Sequence, residues 1–183
     1  RCVPPEDSES NYGMAKAVFL DRIKIPAHNV HRIRGENDPD TEASRYAAVL
    51  KEITDTKEGF PVLDFILLGV GEDGHVASIF PGNEALFNSD VSCYVTSHPK
   101  TTQKRITLTG RVINNSHNVF FIVTGNKKAE IVRSIFEDTG NSSSFPAALV
   151  RPGDGAAVWY LDREAASLIS SGSFDIADIV LYG

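Results

Sequence analysis

The segment 67–82, LLGVGEDGHVASIFPG, gathers three glycines, two acids and a histidine at the end of an apolar run. Three chemistries compete for it. Backbone amides of a Gly-rich loop can hold an oxyanion, a histidine beside a carboxylate can move a proton, and glycines can simply turn the chain. Asp73 lies two residues before His75, close enough to fix one imidazole tautomer and leave a neutral general base. A histidine that caps the following turn has the same spacing, so spacing alone leaves catalysis and capping level. Glu72 reads as a solvated loop acid. Ser78 lacks the GxSxG setting of a hydrolase nucleophile and reads as structural. Gly69, Gly71 and Gly74 match GxGxxG formally. A dinucleotide site also requires an early βα position and a later acid, and a long patterned stretch precedes this strand.

An acidic chain that binds a phosphorylated molecule must gather a few cations locally. Arg1, Lys100, Lys104, Arg105, Lys127, Lys128 and Arg151 are the candidates. Most of them read as solvated surface charges. Lys128, in GNKKA, stands where an apolar strand passes into a helix, on the side of a parallel sheet where ligands bind. His28 and His31 read as surface residues beside Pro26, and no His, Cys or acid spacing suggests a metal site. No metal or other cofactor is expected.

The elements that must carry these residues alternate. Tyr12, Ala15, Phe19 and Ile23 recur at helical spacing after Ser8, Ser10 and Asn11 as possible caps, which predicts a helix ending before Pro26. Asp38 and Pro39 open a second helix whose stripe of Ala43, Tyr46, Ala47, Leu50 and Ile53 should pack on a sheet. FPVLDFILLGV has little alternation and predicts a central strand covered on both faces. VSCYVTS reads as a strand, KRITLTGRVINNS as a strand or a short helix, and NVFFIVTG as a buried strand. KKAEIVRSIFEDTG predicts a helix with Val132, Ile135 and Phe136 inward and Gly140 at its end. AAVWYLD predicts a strand whose Asp162 caps a short helix, REAASLI, while NSSSFP reads as a loop and the tail 170–183 carries no assignment. The sum is an α/β protein with a mostly parallel sheet flanked by helices.

Composition sets the outer limits. A chain of 183 residues, 42% apolar and 23% charged, can bury one substantial core, and one domain over 1–183 is expected. A net charge of -6 gives no electrostatic reason to bind nucleic acid. Apolar runs such as FILLGV fall far short of the roughly 20 residues that span a bilayer, so no membrane association is expected. Two cysteines, Cys2 and Cys93, suit a reducing, cytoplasmic setting. RCVPPEDSESNYG lacks an initiator Met and the pattern of a signal peptide, and it reads as something other than the natural start.

With these blocks in view, the chain resembles the 6-phosphogluconolactonases of the glucosamine-6-phosphate isomerase/6-phosphogluconolactonase family. RCVPPEDSESNY is similar to the family's arginine-containing opening motif. LLGVGEDGHVASIFPG is similar to its central Gly-x-Gly-x-Asp-Gly-His signature followed by Ala-Ser and Phe-Pro. KRITLT, GNKKA and AVWYLDREAA resemble later blocks in the same order. The related glucosamine-6-phosphate deaminases continue the signature with Ile-Ala-Phe-Asn-Glu-Pro, whereas here Val76, Ala77, Ser78, Ile79, Phe80 and Pro81 follow. That continuation favours the lactonase.

The resemblance implies a NagB/RpiA/CoA transferase-like fold and hydrolysis of 6-phospho-D-glucono-1,5-lactone to 6-phospho-D-gluconate in the oxidative pentose phosphate pathway. It implies His75 as general base and Asp73 as the carboxylate that orients it, with amides of the glycine loop holding the oxyanion. Arg1, Asn11, Gly71, Gly74, Arg105 and Lys128 would contact the phosphorylated sugar lactone. Family members carry a preceding βα segment with a Ser/Gly-rich phosphate loop, so an N-terminally incomplete domain is expected. Two alternatives stay open, a glucosamine-6-phosphate deaminase/isomerase and a non-catalytic sugar-phosphate-binding domain.

Overall fold

The residues just discussed fall into two groups in the computed structural model, which describes residues 1–137, 144–170 and 179–182. Cα packing divides the chain into two compact units, one of Arg1–Ile53 and Cys93–Thr107, the other of Thr54–Ser92 and Leu108–Gly183.

In the first unit, helix α1 spans Asn11–Val18. Ser10 caps it by accepting the Gly13 N–H at 3.0 Å, which satisfies one of the donors that a helix start leaves open. The predicted helix is cut short because Phe19 leaves helical geometry at φ -133°, and only a 3₁₀ turn, Leu20–Arg22, follows. Its stripe does not form a core, since no α1 residue is buried. Helix α2, Pro39–Ile53, matches its predicted span. Asp38 accepts the Thr41 N–H at 3.0 Å as its cap. The α2 stripe packs on strand β4, Cys93–Ser97, which pairs with β5, Lys104–Leu108. Glu42 is fully buried on this helix, yet it accepts from the Arg45 guanidinium, the Arg34 N–H and the Asn37 amide. Burial acts to raise its pKa, and these donors outweigh it and leave the carboxyl below its ordinary value. Cys93 has only burial and the Glu42 charge to contend with, and its thiol is pushed up to about 12.

The second unit begins with a short antiparallel pair, β1 (Thr56–Lys57) and β2 (Phe60–Pro61). Strand β3 is Ile66–Leu68, α3 is Gly110–Asn114, β6 is Asn118–Val123, α4 is Ala129–Phe136, β7 is Ala156–Asp162 and β8 is Ile179–Tyr182. The sheet runs β3-β6-β7-β8 with every pair parallel, as expected. The block 104–116 gave both of its alternatives, β5 followed by α3.

One face of this sheet is the core. Ile66, Leu68, Val119, Phe121, Val123, Trp159 and Leu161 meet Ile113 from α3 and Ile131 and Val132 from α4. Phe121 stacks on Trp159 with ring centroids 3.9 Å apart. Each such side chain removed from water stabilises by roughly 1.5–3 kcal/mol. Ile135 and Phe136 also pack inward as predicted, and Gly140 lies outside the described residues.

The opposite face corrects the reading of 60–70 as one central strand covered on both sides. The run is interrupted at Pro61, which has no N–H to donate to a ladder, and β3 is an edge strand among the described residues. Leu67 stays 58% exposed and Ile122 54%. Aromatic neighbours Phe65, Phe120 and Tyr160 share this face, with centroids 4.8 and 5.3 Å apart. The segment after β7 also differs from expectation, because 163–168 forms turns rather than a helix. Asp162 still caps it by accepting the Ala165 N–H at 2.7 Å.

Candidate active site

The loop after β3 is built around its own side chains. Val76 and Ile79 are fully buried and bridge to Val70 and to each other, so two apolar anchors pin the loop to the core. Ala77 between them takes φ +49°, a left-handed conformation that a small side chain tolerates best. The Gly71 N–H donates to the His75 carbonyl at 2.9 Å, and the Gly74 N–H donates to the Gly71 carbonyl at 2.9 Å. The loop therefore closes on itself, with these two amides engaged inside it.

Within that closure the Asp73 carboxylate meets His75 twice. Its Oδ1 lies 2.6 Å from the ring Nδ1 and accepts the His75 backbone N–H at 3.2 Å. Partial burial acts to raise the Asp73 pKa, but the hydrogen bonds from the His75 ring and backbone and the neighbouring imidazole outweigh it, leaving the carboxyl below its ordinary value. An ionised carboxylate can only accept, so the proton of a neutral His75 belongs on Nδ1 and the lone pair on Nε2. Phe80, 2% exposed, holds the other side of the imidazole at 4.7 Å between centroids. The His75 side chain remains 26% exposed. It is oriented from two directions and still reachable.

Two of the three glycines have separate steric reasons. A Cβ on Gly71 would overlap the His75 ring and the Asp73 carboxylate. Gly74 takes φ +82°, and a Cβ there would come within 2.9 Å of Phe145 and 3.1 Å of Ile131. Gly69 has no such neighbour within 4 Å.

Lys128 lies at the end of β6, the strand adjacent to β3, so it shares the carboxyl edge of the sheet with the His75 loop. It is half-buried and precedes α4 in the 3₁₀ turn Asn126–Lys128. The first unit holds the other predicted residues. The Cys2 N–H donates to the Lys104 carbonyl at 3.0 Å, tying the opening motif to β5. The Arg1 guanidinium donates to the Glu9 carbonyl at 3.1 Å. Burial, and then the charge of Arg1, lower the Arg105 pKa from the usual guanidinium value. The Glu9 carboxylate, 3.7 Å from the Arg1 guanidinium, acts in the opposite direction. Asn11 is the exposed first residue of α1.

Sequence reasoning used Phe80 only as part of a pattern and missed it as the support of the imidazole. It read Asp162 as a cap alone and passed over Glu164, and both also bond the turn that leads to Lys128. No local signal marks such a partner, since the bonded residues are 37 and 38 positions apart.

The chain is similar in sequence and in fold to known proteins. Residues 1–159 match the family model described as glucosamine-6-phosphate isomerases/6-phosphogluconolactonase. The chain is 40% identical over 169 residues to the 6-phosphogluconolactonase of Aggregatibacter actinomycetemcomitans, covering 92% of this chain and 71% of that protein. The crystal structure of devB protein matches with a TM-score of 0.89 at 43% identity, covering 93% of this chain and 71% of the other. The 6-phosphogluconolactonase of Trypanosoma brucei matches with a TM-score of 0.78 at 31% identity, covering 93% of this chain and 72% of the other. With its signature loop folded around a histidine and an aspartate at a parallel strand end, the chain belongs to the glucosamine-6-phosphate isomerase/6-phosphogluconolactonase family.

Proposed function

We propose that this protein hydrolyses 6-phospho-D-glucono-1,5-lactone to 6-phospho-D-gluconate, the lactone-opening step of the oxidative pentose phosphate pathway. The observation that carries the reading is the Asp73–His75 pair, 2.6 Å apart on a loop that leaves the imidazole accessible. His75 Nε2 takes a proton from water as the oxygen attacks the lactone carbonyl, and Asp73 stabilises the imidazolium that forms. Collapse of the tetrahedral intermediate breaks the ring C–O bond, and the same imidazolium returns the proton to the departing oxygen. One water is consumed, and the carboxylic acid product ionises.

Gly71 and Gly74 enter this scheme by shape. Gly71 leaves room for the Asp73–His75 pair and Gly74 for Phe145 and Ile131, while their amides serve the loop itself. Lys128 is assigned to the substrate phosphate. Arg1, Asn11 and Arg105 are assigned to substrate binding from the family motifs they belong to. No helix among the described residues is long and apolar enough to cross a membrane. The free cysteines Cys2 and Cys93 support a cytoplasmic setting.

Replacing His75 with Ala should lower lactone turnover by about 10²–10⁴, the range for a positioned proton-transfer group. Near-normal hydrolysis by that variant would overturn the assignment. Ammonia release from glucosamine 6-phosphate, measured in parallel, separates the deaminase reading. Stabilisation by 6-phosphogluconate without any turnover would instead indicate a binding domain.

A further inference from the structure

Asp162 ends β7, and its register partner relationships place it one step beyond the pair Val123↔Leu161, alongside the exit of β6. There the chain turns at Gly125, which takes φ +88°. The Gly125 N–H donates to both Asp162 oxygens, at 2.9 and 3.1 Å. The next amide, of Asn126, donates to the Glu164 carboxylate at 3.3 Å. The Lys128 N–H donates back to the Gly125 carbonyl at 3.0 Å. The turn that presents Lys128 therefore hangs from the Gly125 peptide, and that peptide is held by a carboxylate of another strand.

Capping the turn after β7 requires one acceptor, and Oδ1 supplies it to Ala165 at 2.7 Å. The second oxygen has no part in that cap. Charge-assisted hydrogen bonds are shorter and about twice as strong as neutral ones, which suits an anchor for a residue that must keep its place while binding an anion. We infer that Asp162 is a positioning residue that sets Lys128 on the substrate phosphate by clamping the Gly125 turn, with Glu164 as its weaker second point. The inference rests on the reading of Lys128 as a phosphate contact.

A double-mutant cycle in the full-length protein tests it, with kcat and KM measured on 6-phosphogluconolactone and folding checked by thermal melting. Asp162→Ala should lower kcat/KM by about 10- to 100-fold, the scale of a misplaced binding group, chiefly through KM. Asp162→Asn keeps one oxygen acceptor, enough for the Ala165 cap, but sets an amide N–H against the Gly125 N–H, so it should lose nearly as much as Asp162→Ala, and it carries the same cycle should the alanine variant fail to fold. In a Lys128→Ala background either change at Asp162 should alter kcat/KM by less than about twofold, because residues acting as a unit are not additive. A Lys128→Ala variant with normal kcat/KM would overturn the phosphate assignment and the clamp together. A costly Lys128→Ala on which Asp162→Ala still exerts its whole factor would overturn the clamp alone.

Discussion

Two loops leave adjacent strands at the same edge of the parallel sheet, and they are held in opposite ways. The loop after β3 is braced from within. Asp73 binds His75 two residues on, Gly71 and Gly74 close the turn between them, and Val76, Ile79 and Phe80 anchor it from below. The turn after β6 is braced from outside, by Asp162 and Glu164 of the neighbouring strand end. A proton-transfer pair needs its two members at a fixed short distance, which near neighbours in sequence can guarantee. A lysine that contacts a phosphate needs only a placed Cα and a flexible stem, so a distant clamp suffices.

The sharpest way to break the first loop is at its internal pair. Asp73→Asn should lower turnover by up to about 10⁴, the loss found when an orienting carboxylate becomes an amide that accepts the wrong tautomer. Steady-state lactonase kinetics on a variant with an unchanged melting temperature would check this. Gly71→Ala should come next, at about 10² in turnover, because its Cβ would displace the pair by on the order of 1 Å. Gly74→Ala should act on folding rather than chemistry, since its strain and its contact with Phe145 together cost about 1–3 kcal/mol. Urea unfolding would measure that cost.

Gly69→Ala, with no neighbour in reach, should fall within about 0.5 kcal/mol of the parent. Large losses there would mean that the three glycines act alike and that the loop is not braced as described. The smallest effect is a pH dependence. The Asp73 carboxyl is depressed in the folded state, so its contribution to stability is present above the unfolded value of about 3.9 and is lost as pH falls through the lower folded value. Unfolding midpoints of the parent and Asp73→Asn should therefore converge as pH drops below about 4, and a constant gap would contradict the linkage.

Much of this was legible in the chain. Asp38 and Pro39 announced α2 at the right residues because capping is a local matter of one side chain and three amides. The signature 67–82 put a histidine and an aspartate within reach of each other, two residues apart, and left catalysis and capping level. Other readings failed where burial decides. Helix α1 stops at Val18, and none of its residues is buried. The apolar run before Gly71 predicted cover on both faces, whereas the described structure covers one. Residue type reports what a side chain prefers and not which neighbour arrives to meet it.

Sequence alone determined the α/β alternation, the parallel sheet and the close spacing of Asp73 and His75, because each follows from periodicity or from the order of near neighbours. Only the tertiary structure decided that Phe80 supports the imidazole, that Gly71 and Gly74 yield space instead of amides, and that the Lys128 turn hangs from Asp162. Those facts depend on which backbone groups strand pairing and core packing bring face to face, and no local preference encodes a partner 37 residues away.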